Sequence, residues 1–251
     1  MATSRVRVYR LAADRLLASL PAGSIDVLVT DPPYTSLDRH GGSGHLRDWF
    51  RGGMSWPQIG RILTLARRKM KPSGVAFVMS NGDGLKEAIV ALERAGFTSI
   101  RTITWDRTWP GLGSGLRHQT EFILLGRLPG SRPVSGVDLV SASAVGPGTA
   151  DRYPTEKPAA LGRELAKIAG VRRGDLVVDP FCGSGALLVG AFERGATVVG
   201  GDISARAVGR ATTRLVPPPT RSKLAGRRGS PVGRPSSTVG PTVARRGGAG
   251  R

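Results

Sequence analysis

The sequence predicts an α/β fold: a mostly parallel sheet with helices on both faces and an antiparallel hairpin at one edge. Three observations predict it. The chain opens with a basic/apolar alternation from Arg5 to Arg10, continues with apolar residues at helical spacing from Leu11 to Leu20, and reaches the apolar run Ile25 to Val29. That is a strand, a crossover helix and a strand, the unit of a parallel sheet. Val75 to Met79 is then a near-continuous apolar run, as a strand buried on both faces requires. Finally, Phe97 to Trp105 and Glu121 to Leu125 both read as strands, with Asp106 to Thr120 as a connection that lets them form a hairpin.

The remaining elements follow the same logic. Pro21 to Ser24 closes the first helix. Trp56 to Met70 carries Ile59, Ile62, Leu63, Ala66 and Met70 on one stripe and its cations elsewhere, and Lys71-Pro72-Ser73-Gly74 is read as its stop. Leu85 to Ala95 is the next helix, entered from the turn Ser80 to Gly84. From Arg127 the composition shifts to Gly, Pro, Ser and Ala, which predicts a long loop or a small subdomain over 127–152. A helix resumes from Lys157 to Ala169. Asp175 to Asp179 is a strand, Ala186 to Arg194 a helix, Thr197 to Asp202 a strand and Ala205 to Leu215 the last helix.

Composition narrows the class. With 251 residues and 39% hydrophobic content, the chain is long enough to bury a sizeable core. No segment reaches the apolar length needed to span a bilayer, and the first residues lack the apolar run of a secretory signal, so a cytoplasmic location is the expectation. The single cysteine, Cys182, excludes an internal disulfide. Thirty-seven Lys and Arg against 18 Asp and Glu give a net charge of +19, which points to a polyanionic partner. Residues 217–251 hold eight of those cations and no acid behind a triple proline. They cannot bury enough apolar surface to fold, so 1–216 is expected to be the folded domain and 217–251 a disordered basic tail.

Two stretches carry the chemistry. Asp31-Pro32-Pro33-Tyr34 follows the strand Ile25 to Val29, and two prolines without N–H donors must end that strand and turn the chain. The turn presents a carboxylate, rigid carbonyls and an aromatic ring, at the strand end where open α/β sheets bind ligands. Two readings stand at this point: a rigid turn in which Asp31 caps and Tyr34 packs, or a site for a planar, amine-bearing ligand. The glycine-rich segment 34–53 behind it, with His40, His45 and Trp49, is expected to be a mobile loop acting as a lid.

The second stretch runs from Asp179 to Asp202. A strand, the turn Pro180-Phe181-Cys182-Gly183-Ser184-Gly185 opening a helix, and a carboxylate ending the next strand resemble the nucleoside-binding half of a Rossmann-like sheet. Gly183 and Gly185 let the backbone approach a ligand, and Asp202 offers acceptors for both ribose hydroxyls. The glycine spacing is shorter than the dinucleotide fingerprint, so a mononucleoside such as S-adenosylmethionine fits better than NAD.

Taken in order, Asp31-Pro32-Pro33-Tyr34, Tyr153-Pro154-Thr155-Glu156-Lys157-Pro158 and Asp179 to Gly185 resemble the β-class, permuted amino-methylating DNA methyltransferases acting on adenine-N6 or cytosine-N4. Trp105-Asp106-Arg107, Gly111-Leu112-Gly113 and Arg117 to Glu121 belong to the same similarity, which covers nearly all of residues 5–215. The resemblance implies a Rossmann-like S-adenosylmethionine-dependent methyltransferase fold with the opening strand beside the last one, Thr197 to Gly201, and with Asp31 and Asp179 ending adjacent strands. It implies Asp31, Pro32, Pro33 and Tyr34 as catalytic, and Asp179, Pro180, Phe181, Gly183, Gly185, Asp202, Thr155 and Lys157 as cofactor-binding. The implied partner is double-stranded DNA, with the target base flipped out of the stack. A homodimer and a cognate restriction nuclease are left open.

Asp rather than Ser before the two prolines favours adenine-N6 as the target. Cytosine-N4 and a catalytically silent DNA-binding protein are the alternatives. Three departures from the family stand out: Leu11-Ala12 where Gly-Asp is usual, Tyr153 where histidine is frequent, and a short, aromatic-poor 127–152 segment in the place of a target-recognition region. The first leaves the contact to the cofactor's adenine unassigned. His40, His45 and His118 have no metal-ligand spacing with Cys182, so no metal is expected. Cys182 reads as a small buried turn residue, and Trp105, Trp109 and Phe181 as core or pocket walls.

Overall fold

Among the described residues, eight strands form one sheet: β1 (Val6–Tyr9), β2 (Ile25–Thr30), β3 (Met70–Ser80), β4 (Ser99–Asp106), β5 (Thr120–Arg127), β6 (Leu139–Ser141), β7 (Leu176–Asp179) and β8 (Thr197–Gly201). Their order across the sheet is β1-β8-β7-β2-β3-β5-β4-β6. The coordinates are a computed structural model, which describes residues 4–34, 52–110, 115–146, 153 and 155–216. The expected lid thus lies outside the described residues from 35 to 51, with His40, His45 and Trp49, as do 147–152 and the basic tail. No described helix is long and apolar enough to cross a membrane.

The permuted arrangement is plain in the pairing. β1 runs parallel to β8, with Val6 opposite Val198 and Tyr9 opposite Gly201. β8 pairs with β7, β7 with β2 and β2 with β3, all parallel, and β5 is antiparallel to both β3 and β4. Asp31 and Asp179 therefore sit at the carboxyl ends of neighbouring parallel strands.

Alternation along the central strands splits the core in two. Val27, Val29, Phe77, Val177 and Val198 face α4 (Ala159–Ile168), α5 (Val189–Glu193) and α6 (Ala205–Leu215), meeting Leu161, Leu165, Val189 and Leu215. Leu28, Ala76, Val78, Val178 and Val199 face α1 (Ala13–Ser19), α2 (Trp56–Lys69) and α3 (Leu85–Arg94), meeting Leu16, Leu17, Ile59, Leu63 and Leu92. Each of these large side chains stabilises the fold by about 1.5–3 kcal/mol on burial. Because both faces are covered, β2 shows no polar alternation and every one of its residues is buried.

Three expectations about elements need correction. Lys71 to Gly74 does not stop α2 as a turn. β3 begins at Met70, and the four residues bulge against β2, whose register jumps from Ile25–Met70 to Val27–Val75. A bulge absorbs Pro72, which lacks a ladder donor, and aims Lys71 Nζ at Asp26 at 2.8 Å. The helix expected over 186–194 is a 3-10 turn, Ala186–Leu188, followed by the short α5. The 127–152 segment is not all loop: β6 pairs parallel with β4 and becomes the sheet edge, so the antiparallel β4–β5 pair lies one strand inside it. Trp105 fixes this addition, because its buried indole N–H donates to the Ala142 carbonyl at 2.8 Å.

At the amino ends of β2 and β7, away from the motifs, Arg132 forks between Asp175 (2.7 Å) and Asp26 (2.9 Å), both buried carboxylates. Burial raises the Asp175 carboxyl, and hydrogen bonds from the Arg132 side chain and the Arg172 N–H more than reverse this, holding it below the usual carboxylate range. This clamp ties the 127–146 segment to the sheet.

Candidate active site

β2 ends at Thr30, and the Asp31 to Tyr34 turn closes on itself: the Tyr34 N–H donates to the Pro32 carbonyl at 2.9 Å. One carbonyl lone pair of Pro32 is left for another donor. The Pro33 carbonyl accepts from the Met54 N–H, which ties the turn to the chain returning ahead of α2. The Tyr34 ring stacks on Trp56, centroids 5.9 Å apart and planes 13° from parallel. Trp56 opens α2, so the helix start buttresses the aromatic of the turn, a partner that apolar periodicity alone did not single out.

The Asp31 carboxylate meets Lys157, whose ammonium lies 2.6 Å from Oδ2. Lys157 is nearly buried, as is Glu121, whose Oε2 is 3.4 Å from the same ammonium and whose Oε1 is 3.5 Å from Arg107 Nη1. Burial raises the Asp31 carboxyl above its ordinary value, against the pull of Lys157. For Lys157 burial acts downward, but the carboxylates of Asp31 and Glu121 outweigh it, so the side chain stays charged. The Tyr34 hydroxyl is pushed well up by burial and by Asp31, so it remains a phenol.

One strand over, Asp179 is buried at the end of β7. Its Oδ1 accepts from the Thr30 hydroxyl at 2.9 Å and from the Phe181 N–H at 3.0 Å. Burial pushes its carboxyl up to about 8. The turn that follows is glycine-dependent: Gly183 has φ +49°, and a Cβ there would lie 2.7 Å from the Tyr153 ring. Gly185 has φ +75° and backs onto Ala211 of α6. Asp202, ending β8, accepts from the Gly183 N–H at 3.1 Å and the Ser204 N–H at 2.8 Å, leaving lone pairs on both oxygens. Behind the turn, Arg214 reaches Ser184 at 2.8 Å and pairs with Glu156. Cys182 is buried, its thiol pushed up by burial and so un-ionised at neutral pH.

Both turns open on one cavity of about 1280 Å³. That exceeds the roughly 300–1,000 Å³ typical of a site for one small ligand. Every residue expected at the site except Gly185 lines it; Gly185 lies beneath the turn against α6. The chemistry of the lining fits a nucleoside with a cationic end: a glycine cradle, the carboxylates Asp179 and Asp202, and the apolar Phe181 and Leu187. Leu11 and Ala12 line the cavity too, where the usual Gly-Asp is missing. The structure places Lys157 on Asp31 and near Glu121. Arg107 and Glu121 entered the sequence reading only as part of the resemblance, with no role assigned, and Trp56 only as the start of a helix, since nothing local in the sequence joins any of them to Asp31.

A family model described as DNA methylase matches residues 127–212, from the end of β5 through the Asp179 to Gly185 turn into α6. The Type II methyltransferase M2.DpnII of Streptococcus pneumoniae is 27% identical over 222 residues, covering 75% of this chain and 81% of that protein. Among solved structures, M1.HpyAVI, crystallised with SAM, superposes with a TM-score of 0.65 at 18% identity over 84% of this chain and 99% of its own. The cytosine-N4-specific PvuII DNA methyltransferase gives 0.67 at 18% identity over 84% and 86%. These two likenesses carry the fold. The family model thus lies over the glycine turn, and the chain is similar along most of its length to a Type II methyltransferase.

Proposed function

We propose that the protein methylates the exocyclic N6 amine of an adenine flipped out of double-stranded DNA, with S-adenosylmethionine as methyl donor. The observation that carries this reading is the neighbouring of Asp31 and Asp179 at the ends of β2 and β7 above one cavity. In this reading the Asp31 carboxylate and the free lone pair of the Pro32 carbonyl accept the two amine hydrogens. Those bonds favour a pyramidal nitrogen with its lone pair exposed. Tyr34, backed by Trp56, offers its other face to the base. On the cofactor side, Gly183 keeps the turn open, Asp202 receives the ribose hydroxyls and Asp179 faces the cationic methionine end. The bound cofactor supplies the methyl group, and the amine proton released by transfer passes to Asp31 or to water.

Asp rather than Ser before the prolines supports adenine as the base. The relative's name, a Type II methyltransferase, supports a role in restriction-modification. The test is incubation with labelled S-adenosylmethionine and genomic DNA, digestion to nucleosides and identification of the product. N6-methyladenine is the expected product. N4-methylcytosine overturns the base assignment, and no incorporation into DNA or RNA favours a silent binder. Asp31→Ala is expected to abolish transfer while sparing cofactor binding; a variant keeping most of its activity removes Asp31 from the reaction.

A further inference from the structure

Lys157 stands between two carboxylates and serves them unequally. It is at hydrogen-bonding distance from Asp31 Oδ2, 2.6 Å, and only at ion-pair distance from Glu121 Oε2, 3.4 Å. Glu121 Oε2 is buried and has no hydrogen-bond partner among the described residues. Buried acceptors in folded proteins are nearly all satisfied, so an empty one beside a buried ammonium needs an explanation. Arg107 Nη1 lies 3.5 Å from the other oxygen and so orients the Glu121 side chain. The ammonium also occupies the acceptor that the amine of the substrate base needs.

We propose that Lys157 is a movable counter-ion: it caps Asp31 in the free protein, and the incoming base amine displaces it onto Glu121 Oε2. The move is short, since both oxygens already lie within 3.4 Å of the ammonium, and a four-carbon stem allows it without a backbone change. It solves two problems at once. Asp31 has a partner whether or not base is present, so its buried charge is never left bare. When the target nitrogen gains positive charge, the ammonium has already left the carboxylate that must stabilise it. Lys157 and Glu121 are then positioning residues, acting on the reaction through Asp31. The inference rests on the methyltransferase reading of the site.

One test is independent of activity. In protein with 15N-labelled lysine, a buried, slowly exchanging Lys157 ammonium gives a resonance assigned by its loss in Lys157→Met. Asp31→Asn removes the first acceptor's charge. The resonance is expected to persist in that variant and to vanish when Glu121→Gln is added; its loss in Asp31→Asn alone overturns the proposal. A kinetic cycle provides the second test. Glu121→Gln is expected to raise the KM for DNA about tenfold, within the coupling seen in shared salt-bridge networks, with cofactor affinity unchanged. The effect is expected to disappear in a Lys157→Met background. An unchanged KM, or additive losses, overturns it. No methyl incorporation by the unaltered protein is a failure of the methyltransferase reading, and the ammonium resonance separates the two.

Discussion

The hydroxyl of Thr30 donates to Asp179 Oδ1 at 2.9 Å, across the boundary between β2 and β7. The residue before the Asp31 to Tyr34 turn thereby fixes the carboxyl group that begins the Asp179 to Gly185 turn. The two motifs are one hydrogen-bonded unit, although most of the chain separates them.

Asp179 makes stability pH-dependent. Its folded value is pushed up to about 8 by burial, with the Phe181 and Thr30 bonds pulling the other way. An unfolded aspartate titrates near about 3.9. Over that window the folded protein holds a proton that the unfolded chain has released, so the stabilisation is complete below the lower value and is lost as pH rises through the upper one. Urea unfolding across this range should show stability falling with pH, and Asp179→Asn should remove that part of the slope. A slope unchanged by Asp179→Asn means the carboxyl is ionised throughout. Thr30→Val, which deletes a bond favouring the charged form, should extend the fall to higher pH.

Gly183→Ala is expected to damage the cofactor turn more than the fold. A methyl at φ +49° meets the Tyr153 ring at 2.7 Å, so either the ring or the turn must shift. Strain of this kind costs about 1–3 kcal/mol, and at 1.4 kcal/mol per decade the affinity for S-adenosylmethionine should fall by about five- to 140-fold. Calorimetric titration of the variant checks it, and an unaltered affinity means the cofactor does not lie against this turn.

Arg132→Ala removes the shared partner of two buried carboxylates while leaving Lys71 on Asp26. Breaking a buried pair from one side costs about 3–5 kcal/mol, and that loss should appear in denaturant unfolding. The clamp lies at the amino ends of β2 and β7, opposite the site. Methyl transfer per folded molecule should therefore be retained at low temperature; its loss there would mean that the 127–146 segment shapes the site.

Removing residues 217–251 takes away eight cations and no acid. If the tail lies on phosphates, the slope of log affinity against log salt should become shallower by about 0.9 for each phosphate that the tail had neutralised. The midpoint of thermal unfolding should not move. An unchanged salt slope would assign the tail another role.

Most of the element types, the order of the two motifs and the class of chemistry were legible in the sequence. Apolar runs bounded by Pro and Gly report strands and turns locally, and Asp31-Pro32-Pro33-Tyr34 and Asp179 to Gly185 each carry their chemistry within a few residues. The resemblance added the strand order, which the pairing of β1 with β8 and β2 with β7 bears out. Other features were decided only in three dimensions: Trp56 behind Tyr34, Lys157 on Asp31 with Glu121 in reach, Arg132 across Asp26 and Asp175, and β6 as the outer edge. Each joins side chains or strands from elements far apart in the chain, and such a meeting leaves no period or spacing to read. Glu121 illustrates the reason. Locally it is one polar residue at the start of a strand, and it becomes the second carboxylate of the site only because β5 lies beside β3 and carries it to the same end of the sheet as the Asp31 turn.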